Sequence, residues 1–484
     1  MDEVVQQVAR GIGCVAGSMP FVHLGVPVGQ AVRRISAWSD FKDRFLHRLS
    51  GWKAKMLSIG GRLTLIKSVL GSIGTYFISV FSVPISVFKS IEAIRARFFW
   101  GADAGDRKMH WIRWDRVLAS RQEGGLGVGS LFALNMAMLF KWWWRFFQNP
   151  DMLWARVVKA LYGGDGGASS IYAKSSKGPW SGILRMMKSL RLKNLDFQAL
   201  CPIRVGDGMI TRFWQDRWLG SAALVDLFPR VFALDCHQNT CVGERFNIGW
   251  EVDSLRRIPR GGVEKEQWDE LLNLLHGVVV GTSRDRLGWV ADVSDSFSVS
   301  SARSWIDSSL LHGGGDATRW NSWLPIKLNV FLWRVLAGGI PTRERLSVRG
   351  ILLDTIMCPV CNGAVETTIH VLVRCPQFIE IWYRIAIWWG VIVPDTLSIT
   401  SLLDCAGDTS LSTNSRKAFD AIFVTTLWTL WNHRNNLVFG SQPPKKSVIF
   451  DDVVDRSFFW ISNRCNKLNF FWGYWLQNPG SACK

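Results

Sequence analysis

The chain has 484 residues, 48% of them hydrophobic, and a formal net charge of +18. That length admits roughly two to four domains with cores of their own, so no single metal site has to hold the whole protein together. The surplus of charge is uneven: residues 1–160 carry 22 Lys and Arg against 10 Asp and Glu, and the expected partner is a polyanion. The ten cysteines lack the dense regular spacing of a secreted disulfide scaffold, which points to a reducing compartment, nucleus or cytoplasm. The opening MDEVVQQVARGIG has no basic region followed by an apolar core, so no signal peptide is expected. Pro84 breaks the apolar stretch Tyr76–Phe88, and Glu380 and Arg384 interrupt Phe378–Val393. Neither stretch reaches the roughly 18 uncharged residues of a membrane helix, and no membrane partner is expected.

Taken in order, Pro20–Gly29 (PFVHLGVPVG) is short, apolar and punctuated by Gly25, Pro27 and Gly29, which predicts a strand or hairpin. A helix follows, capped by Ser36 or Ser39, with Trp38, Phe41, Phe45 and Leu49 at helical spacing. Ser58 and the Gly60, Gly61 pair introduce a second helix with Leu63, Ile66, Leu70 and Ile73 inward and Arg62 and Lys67 outside. From Val87 to Trp100 the residues Val87, Ile91, Ile94 and Phe98 fall on one stripe flanked by Arg95 and Arg97, an amphipathic helix with a basic outer face. Gly124, Gly125, Gly127 and Gly129 lack both a GKS or GKT sequence and the Rossmann spacing, and read as a turn. Phe132–Phe147 is apolar on nearly every side and predicts a core helix.

The glycines and serines of Tyr162–Ser170 mark a first boundary. Beyond it lies VGDGMITRFWQDRWLG, Val205–Gly220, where Asp207 suits a tight turn and Phe213, Trp214 and Trp218 suit a small local core better than base stacking. Gly313–Gly315 mark a second break. A helix over Asn329–Leu336 stops at Gly338 and Gly339, and Thr342 caps a short helix with Arg343, Arg345 and Leu346. Next comes MCPVCNGAVETTIHVLVRCP, which sets Cys358, Cys361, His370 and Cys375 in a Cys-x2-Cys-x8-His-x4-Cys array. Two thiolates two residues apart can turn back on one ion, and an imidazole and a third thiolate complete the tetrahedron that Zn²⁺ prefers. Four protein ligands leave no open position, so one structural Zn²⁺ is expected. An aromatic helix after Cys375 should pack back over this loop, Phe419–Phe439 is a further helix, and the stretch after Gly440 reads as a loosely packed basic tail.

Four of these patches together resemble the C-terminal part of plant LINE-type non-LTR retrotransposon reverse transcriptases. PFVHLGVPVG is similar to the family's P-x-Y-L-G-x-P-x-G segment, with His23 in place of the usual Tyr, and WKAKMLSIGGRLTLIKSVL resembles its thumb region. GDGMITRFWQDRWLG resembles its middle signature, and FLWRVLAGGIPTRERL with the cysteine array resembles its zinc-binding domain. The helical spacings and short apolar segments, together with the resemblance, predict a mainly α fold with small β elements (α+β). The resemblance divides the chain into a thumb-like region without the palm (1–162), an irregular middle region (163–318), a Cys3His zinc-binding module with flanking helices (319–440) and the tail (441–484).

The family's polymerising carboxylates, which would clamp two metal ions, lie upstream of the L-G-x-P segment, and only Asp2 and Glu3 precede Pro20 here. The one Asp pair, Asp451 and Asp452 in IFDDVVD, has its Phe in the wrong register and reads as helix or turn surface. The expectation is a non-catalytic, truncated reverse-transcriptase fragment that binds RNA or DNA. Its phosphate contacts would come from Arg62, Lys67, Arg95, Arg97, Arg343, Arg345 and Arg374. The alternative is a protein-interaction module that docks to an intact retroelement polymerase.

Overall fold

The computed structural model describes residues 2–17, 19–23, 26–50, 54–70, 74–102, 109–167, 178–220, 222–248, 254–392, 398–404, 412–465 and 470–480. Among these residues helices dominate, and the strands are confined to two short antiparallel pairs, Phe21–His23 with Val26–Val28 and Ile203–Arg204 with Arg286–Leu287. The expected mainly α fold with small β elements is the one observed. Two compact units divide the chain and interleave along it, whereas the sequence patterns suggest consecutive stretches. The first comprises residues 1–38, 74–88 and 131–309, the second residues 39–73, 89–130 and 310–484.

The first unit is built on the helix Leu131–Gln148, whose apolar residues are buried nearly all round. Its one fully buried polar side chain, Asn135, is an anchor: Nδ2 donates to the carbonyls of Ile78 and Phe81, and Oδ1 accepts from the Val83 amide. An amide with all those partners satisfied is tolerated in an apolar core, because each bond replaces one to water. Phe140 of the same helix stacks on Phe197 at 4.3 Å between ring centres and meets Trp289 and Phe297. Gly166 and Gly167 are buried in this unit, and the Trp180 indole donates to the Gly166 carbonyl at 2.8 Å. Phe213 and Trp214 are fully buried in a local cluster with Val231, Val242 and Leu271, and the Trp214 indole donates to Asp235 at 2.6 Å. That is the local core expected of these aromatics.

The second unit has its core around the long helix Thr413–Phe439, which begins at Ser412, whose hydroxyl accepts the Ser415 amide. Against it pack the helices Ile326–Leu336 and Ile449–Ser462. The residues after Gly440 are therefore no loose tail. Ile449, Val453, Val454 and Ile461 repeat at helical spacing and are buried, as is Trp475, whose carbonyl accepts from the Trp388 indole. Lysines at the start of that stretch masked its apolar periodicity in the sequence. Ser58 caps the helix Ile59–Leu65 as expected, and Gly60 lies inside it where it meets Ile326–Leu336. A Cβ at Gly60 would lie 2.7 Å from the backbone nitrogen of Lys327, so only glycine allows this approach.

Candidate metal centre and cationic surface

The four residues of the array converge. The ligand atoms of Cys358, Cys361, His370 and Cys375 all lie within 4.8 Å of one another. Local backbone geometry explains how. Asn362 takes a positive φ of 53°, and its amide donates to the Cys358 carbonyl at 2.8 Å. The Cys358 amide donates to Ala364, and the Gly363 amide points at the Cys361 sulfur at 3.4 Å. This tight knuckle turns both sulfurs to one side. The second pair comes from a π-helical turn, His370–Arg374, closed by the Cys375 amide on the His370 carbonyl at 2.7 Å. The widened turn brings residues five apart onto one side, which is what the x4 spacing needs. The Thr367 hydroxyl accepts the His370 amide at 3.0 Å and sets the start of that turn.

Burial and charge then fit a cation. Cys358 and Cys375 are fully buried in the core of the unit, while Cys361 and His370 are half-buried, with Cys361 Sγ 3.2 Å from His370 Nε2. The hydrogen bond from Cys375, opposed by burial and helped by the amides of Val360 and Cys361, draws the Cys358 thiol down; the same contact with Cys358 pushes the Cys375 thiol up. Three sulfurs so close cannot all ionise against one another without a cation among them. The donor set, three sulfurs and one imidazole, suits Zn²⁺ and fills its coordination.

The array is braced by residues that sequence reasoning missed. Glu366, inside the array and fully buried, forms a bidentate ion pair with Arg434 of the long helix, at 2.5 and 2.7 Å. The same carboxylate accepts the Arg343 amide at 2.7 Å, just after Thr342 caps the short helix Arg343–Val348. One acidic side chain thus joins the chelating loop, the short helix and the long helix. No spacing rule links Glu366 to Arg434, 68 positions later.

The seven cations expected to face phosphates are placed very differently. Arg97, Arg345 and Arg374 are exposed. Arg95 is not: its side chain is fully buried, paired with Glu92 at 2.8 Å, with its guanidinium directed at the Gly129 carbonyl. The apolar stripe of its helix is buried as expected, but the stripe is wider than the four residues that define it, and Arg95 lies within it beside Ile94 and Ala96. Arg343 is half-buried and donates to the Met357 carbonyl at 2.8 Å, bracing the metal loop. Arg62 and Lys67 also turn inward, half-buried. Arg62 donates to the Ala54 carbonyl at 2.9 Å, and Lys67 to that of Leu126 at 2.6 Å.

Leu126 belongs to the glycine-rich turn. It presents carbonyls: Gly124 accepts the Trp333 indole, Gly125 the Thr318 hydroxyl, Leu126 the Lys67 ammonium and Gly129 the Arg95 guanidinium. A Cβ at Gly125 would sit 2.1 Å from the Ala119 carbonyl oxygen, which is why the turn needs glycine there. Asp451 and Asp452 lie in the first turn of the helix Ile449–Ser462, and Asp452 pairs with Arg456 at 3.1 Å. They are helix surface. Among the described residues no helix is long and apolar enough to cross a membrane.

Residues 297–382, which contain all four ligands, match a family model described as zinc-binding in reverse transcriptase. This part of the chain is therefore related to the zinc-binding segment of reverse transcriptases. Over 86% of its length the chain is 29% identical to an Arabidopsis thaliana protein named "Putative ribonuclease H protein" and spans 66% of that relative. A second Arabidopsis thaliana relative, an "Uncharacterized mitochondrial protein", is 26% identical over 30% of this chain and 90% of its own length.

Proposed function

We propose that the chain is part of a plant LINE-type non-LTR retroelement polymerase and serves as a zinc-containing nucleic-acid-binding module, without polymerase chemistry of its own. The observation that carries this reading is the closed Cys3His cluster inside the segment related to reverse-transcriptase zinc-binding domains. The net charge of +18 and the exposed Arg97, Arg345 and Arg374 of the second unit supply the attraction to a phosphate backbone. When bound, the zinc supplies folding energy and no reaction chemistry, since Cys358, Cys361, His370 and Cys375 would occupy all its positions. Three reduced sulfurs in the ligand set favour a reducing compartment, nucleus or cytoplasm.

The test is binding of single-stranded RNA and duplex DNA by the full chain across salt. Affinity should fall at least about tenfold between roughly 50 and 200 mM salt, as counterion release requires. Unchanged affinity overturns the reading. A primer-extension assay with Mg²⁺ and deoxynucleotides should yield no product, and extension would overturn the non-catalytic part. Elemental analysis should find about one zinc per chain.

A further inference from the structure

Four cations of the second unit, Arg62, Lys67, Arg121 and Arg334, lie in two close pairs with no carboxylate partner among the described residues. Three other guanidiniums of that unit, buried or half-buried, do meet acids: Arg95 pairs with Glu92, Arg319 with Asp420 and Arg434 with Glu366. Arg62, Lys67, Arg121 and Arg334 have only neutral partners among the described residues. Arg62 donates to the Ala54 carbonyl, Lys67 to the Leu126 carbonyl, and Arg334 to the Gly339 carbonyl through Nε and Nη2 at 3.1 and 2.9 Å. The Arg121 guanidinium lies over the Trp320 ring at 3.9 Å.

They come in two pairs, each with one member on a single helical stretch: Arg62 lies in Ile59–Leu65 and Lys67 in the π-helical turn Ile66–Leu70 that continues it. Lys67 and Arg121 both flank Gly127: a Cβ there would be 3.7 Å from Lys67 Nζ and 3.8 Å from Arg121 Cγ. Arg62 and Arg334 share the floor formed by Trp100 and Gly101. The Arg62 guanidinium fills the space over Gly101, where a Cβ would lie 2.1 Å from its Nη1, and the Arg334 guanidinium lies 6.0 Å from the Trp100 ring centre. Exposure is graded, with Arg121 exposed and the other three half-buried.

The electrostatics agree. Burial, then the charge of Arg121, holds the Lys67 ammonium down to about 8; burial, then the charge of Arg62, lowers Arg334 to about 10. Like charges held together and partly dried, with at most one carbonyl each, are unfavourable unless an anion joins them. An arginine offers five N–H donors, and at most two are used here. The ligand that fits is a compact oxyanion with several acceptors, and forked guanidiniums match a phosphate.

We propose that Arg62, Lys67, Arg121 and Arg334 form a phosphate-binding seat of two cation pairs, with Lys67 and Arg121, the pair that includes the exposed member, as its rim. The phosphate is supplied by a nucleic-acid strand if the nucleic-acid-binding reading holds, and by free phosphate otherwise. The experiment compares the full-length wild-type chain with the rim variants Lys67→Met and Arg121→Gln, their double, and Lys67→Arg. Arg456→Gln, which loses only a surface pair with Asp452, serves as control. Two measurements are made: the slope of log affinity for single-stranded RNA against log salt, and the shift in melting temperature with inorganic phosphate. Zinc content and circular dichroism establish that each variant is folded.

Each rim cation removed should reduce the salt slope by roughly one, with Lys67→Arg and Arg456→Gln retaining the wild-type slope. If wild type binds RNA and the folded double variant keeps its full slope, the seat is wrong while nucleic-acid binding stands. If wild type does not bind RNA but phosphate raises its melting temperature and not that of the double variant, the seat is right and its ligand is free phosphate. If neither RNA nor phosphate acts on wild type, both ideas fall.

Discussion

Two loops of this protein are each organised by a single centre, and they differ in how that centre is assembled. In the second unit, Met357–Pro376 closes on itself, with its four ligands drawn from eighteen consecutive residues, Cys358–Cys375. In the first unit, the VGDGMIT loop closes on Asp285, a residue 74 to 79 positions away. That carboxylate accepts the amides of Gly206, Gly208, Ile210 and Thr211 and the Thr211 hydroxyl, at 2.7 to 3.2 Å. Glycine is obligatory beside it. A Cβ at Gly206 would lie 2.0 Å from the Ser283 carbonyl oxygen, and Gly208 has a φ of 66° and sits against Gly243. Both loops are nests of donors or ligands around one charge. The first supplies its own chemistry and needs an ion, whereas the second borrows an anion from a distant segment.

Removing each centre separates the two cases. The largest effect is expected from zinc removal, by chelator or by Cys361→Ser. Metal binding energy on the order of 10 kcal/mol is folding energy for such a module, so Met357–Trp389 should lose hydrogen-exchange protection while the Asp285 loop retains it. Loss of protection in both loops would show that they are one cooperative element. Retention of zinc by Cys361→Ser would show that the ligand set is wrong.

Next comes the brace. Arg434→Met leaves the Glu366 carboxylate buried without its partner, for which about 3 to 5 kcal/mol of destabilisation is expected. Pairing it with Glu366→Leu should restore part of that loss, because the double variant buries no lone charge. Additive losses in a denaturation series would argue against a direct pair.

A smaller effect, about 2 to 3 kcal/mol, is expected for Asp285→Asn, which turns an amide NH₂ toward amides that also donate. Here the pH dependence sharpens the contrast. Burial raises the Asp285 pKa, but the hydrogen bonds from Thr211, Gly206 and Gly208 outweigh it and hold it below the ordinary carboxylate range. The stability it contributes is therefore fully present above the ordinary Asp range and is lost as pH falls through its lowered value. Acid denaturation followed by exchange in Gly206–Thr211 should show that loss in wild type and not in Asp285→Asn. The smallest effect is expected from Thr342→Ala, about 1 kcal/mol, since the hydroxyl caps the short helix through the Arg345 amide at 3.4 Å. A loss of several kcal/mol in a denaturation series would show that the cap also supports the neighbouring Glu366 contact.

The same contrast explains what could be read without coordinates. Helices with a strong apolar period, such as Leu131–Gln148 and Thr413–Phe439, were legible, as were the caps Ser58 and Thr342, because each depends on neighbours three or four residues away. The helix Ile449–Ser462 was missed although its period is equally regular, since a Pro-Lys run ahead of it suggested a tail. Arg95 was misplaced because periodicity assigns a side chain to a face and says nothing of how much of that face is covered. Its burial depends on Glu92 and on a glycine turn 34 residues later.

By itself the sequence determined the helical class, the Cys3His array and the basic character of the chain, all set by composition or by residues within one or two turns of one another. Only the tertiary structure decided that Glu366 joins the array to Arg434, that Asp285 fills the GDG loop, and that Lys67 meets Arg121 and Arg62 meets Arg334. The reason is physical. A metal site built within one loop leaves its geometry in the spacing of its ligands, whereas an ion pair or a cluster of like charges between distant segments exists only once packing has brought them together.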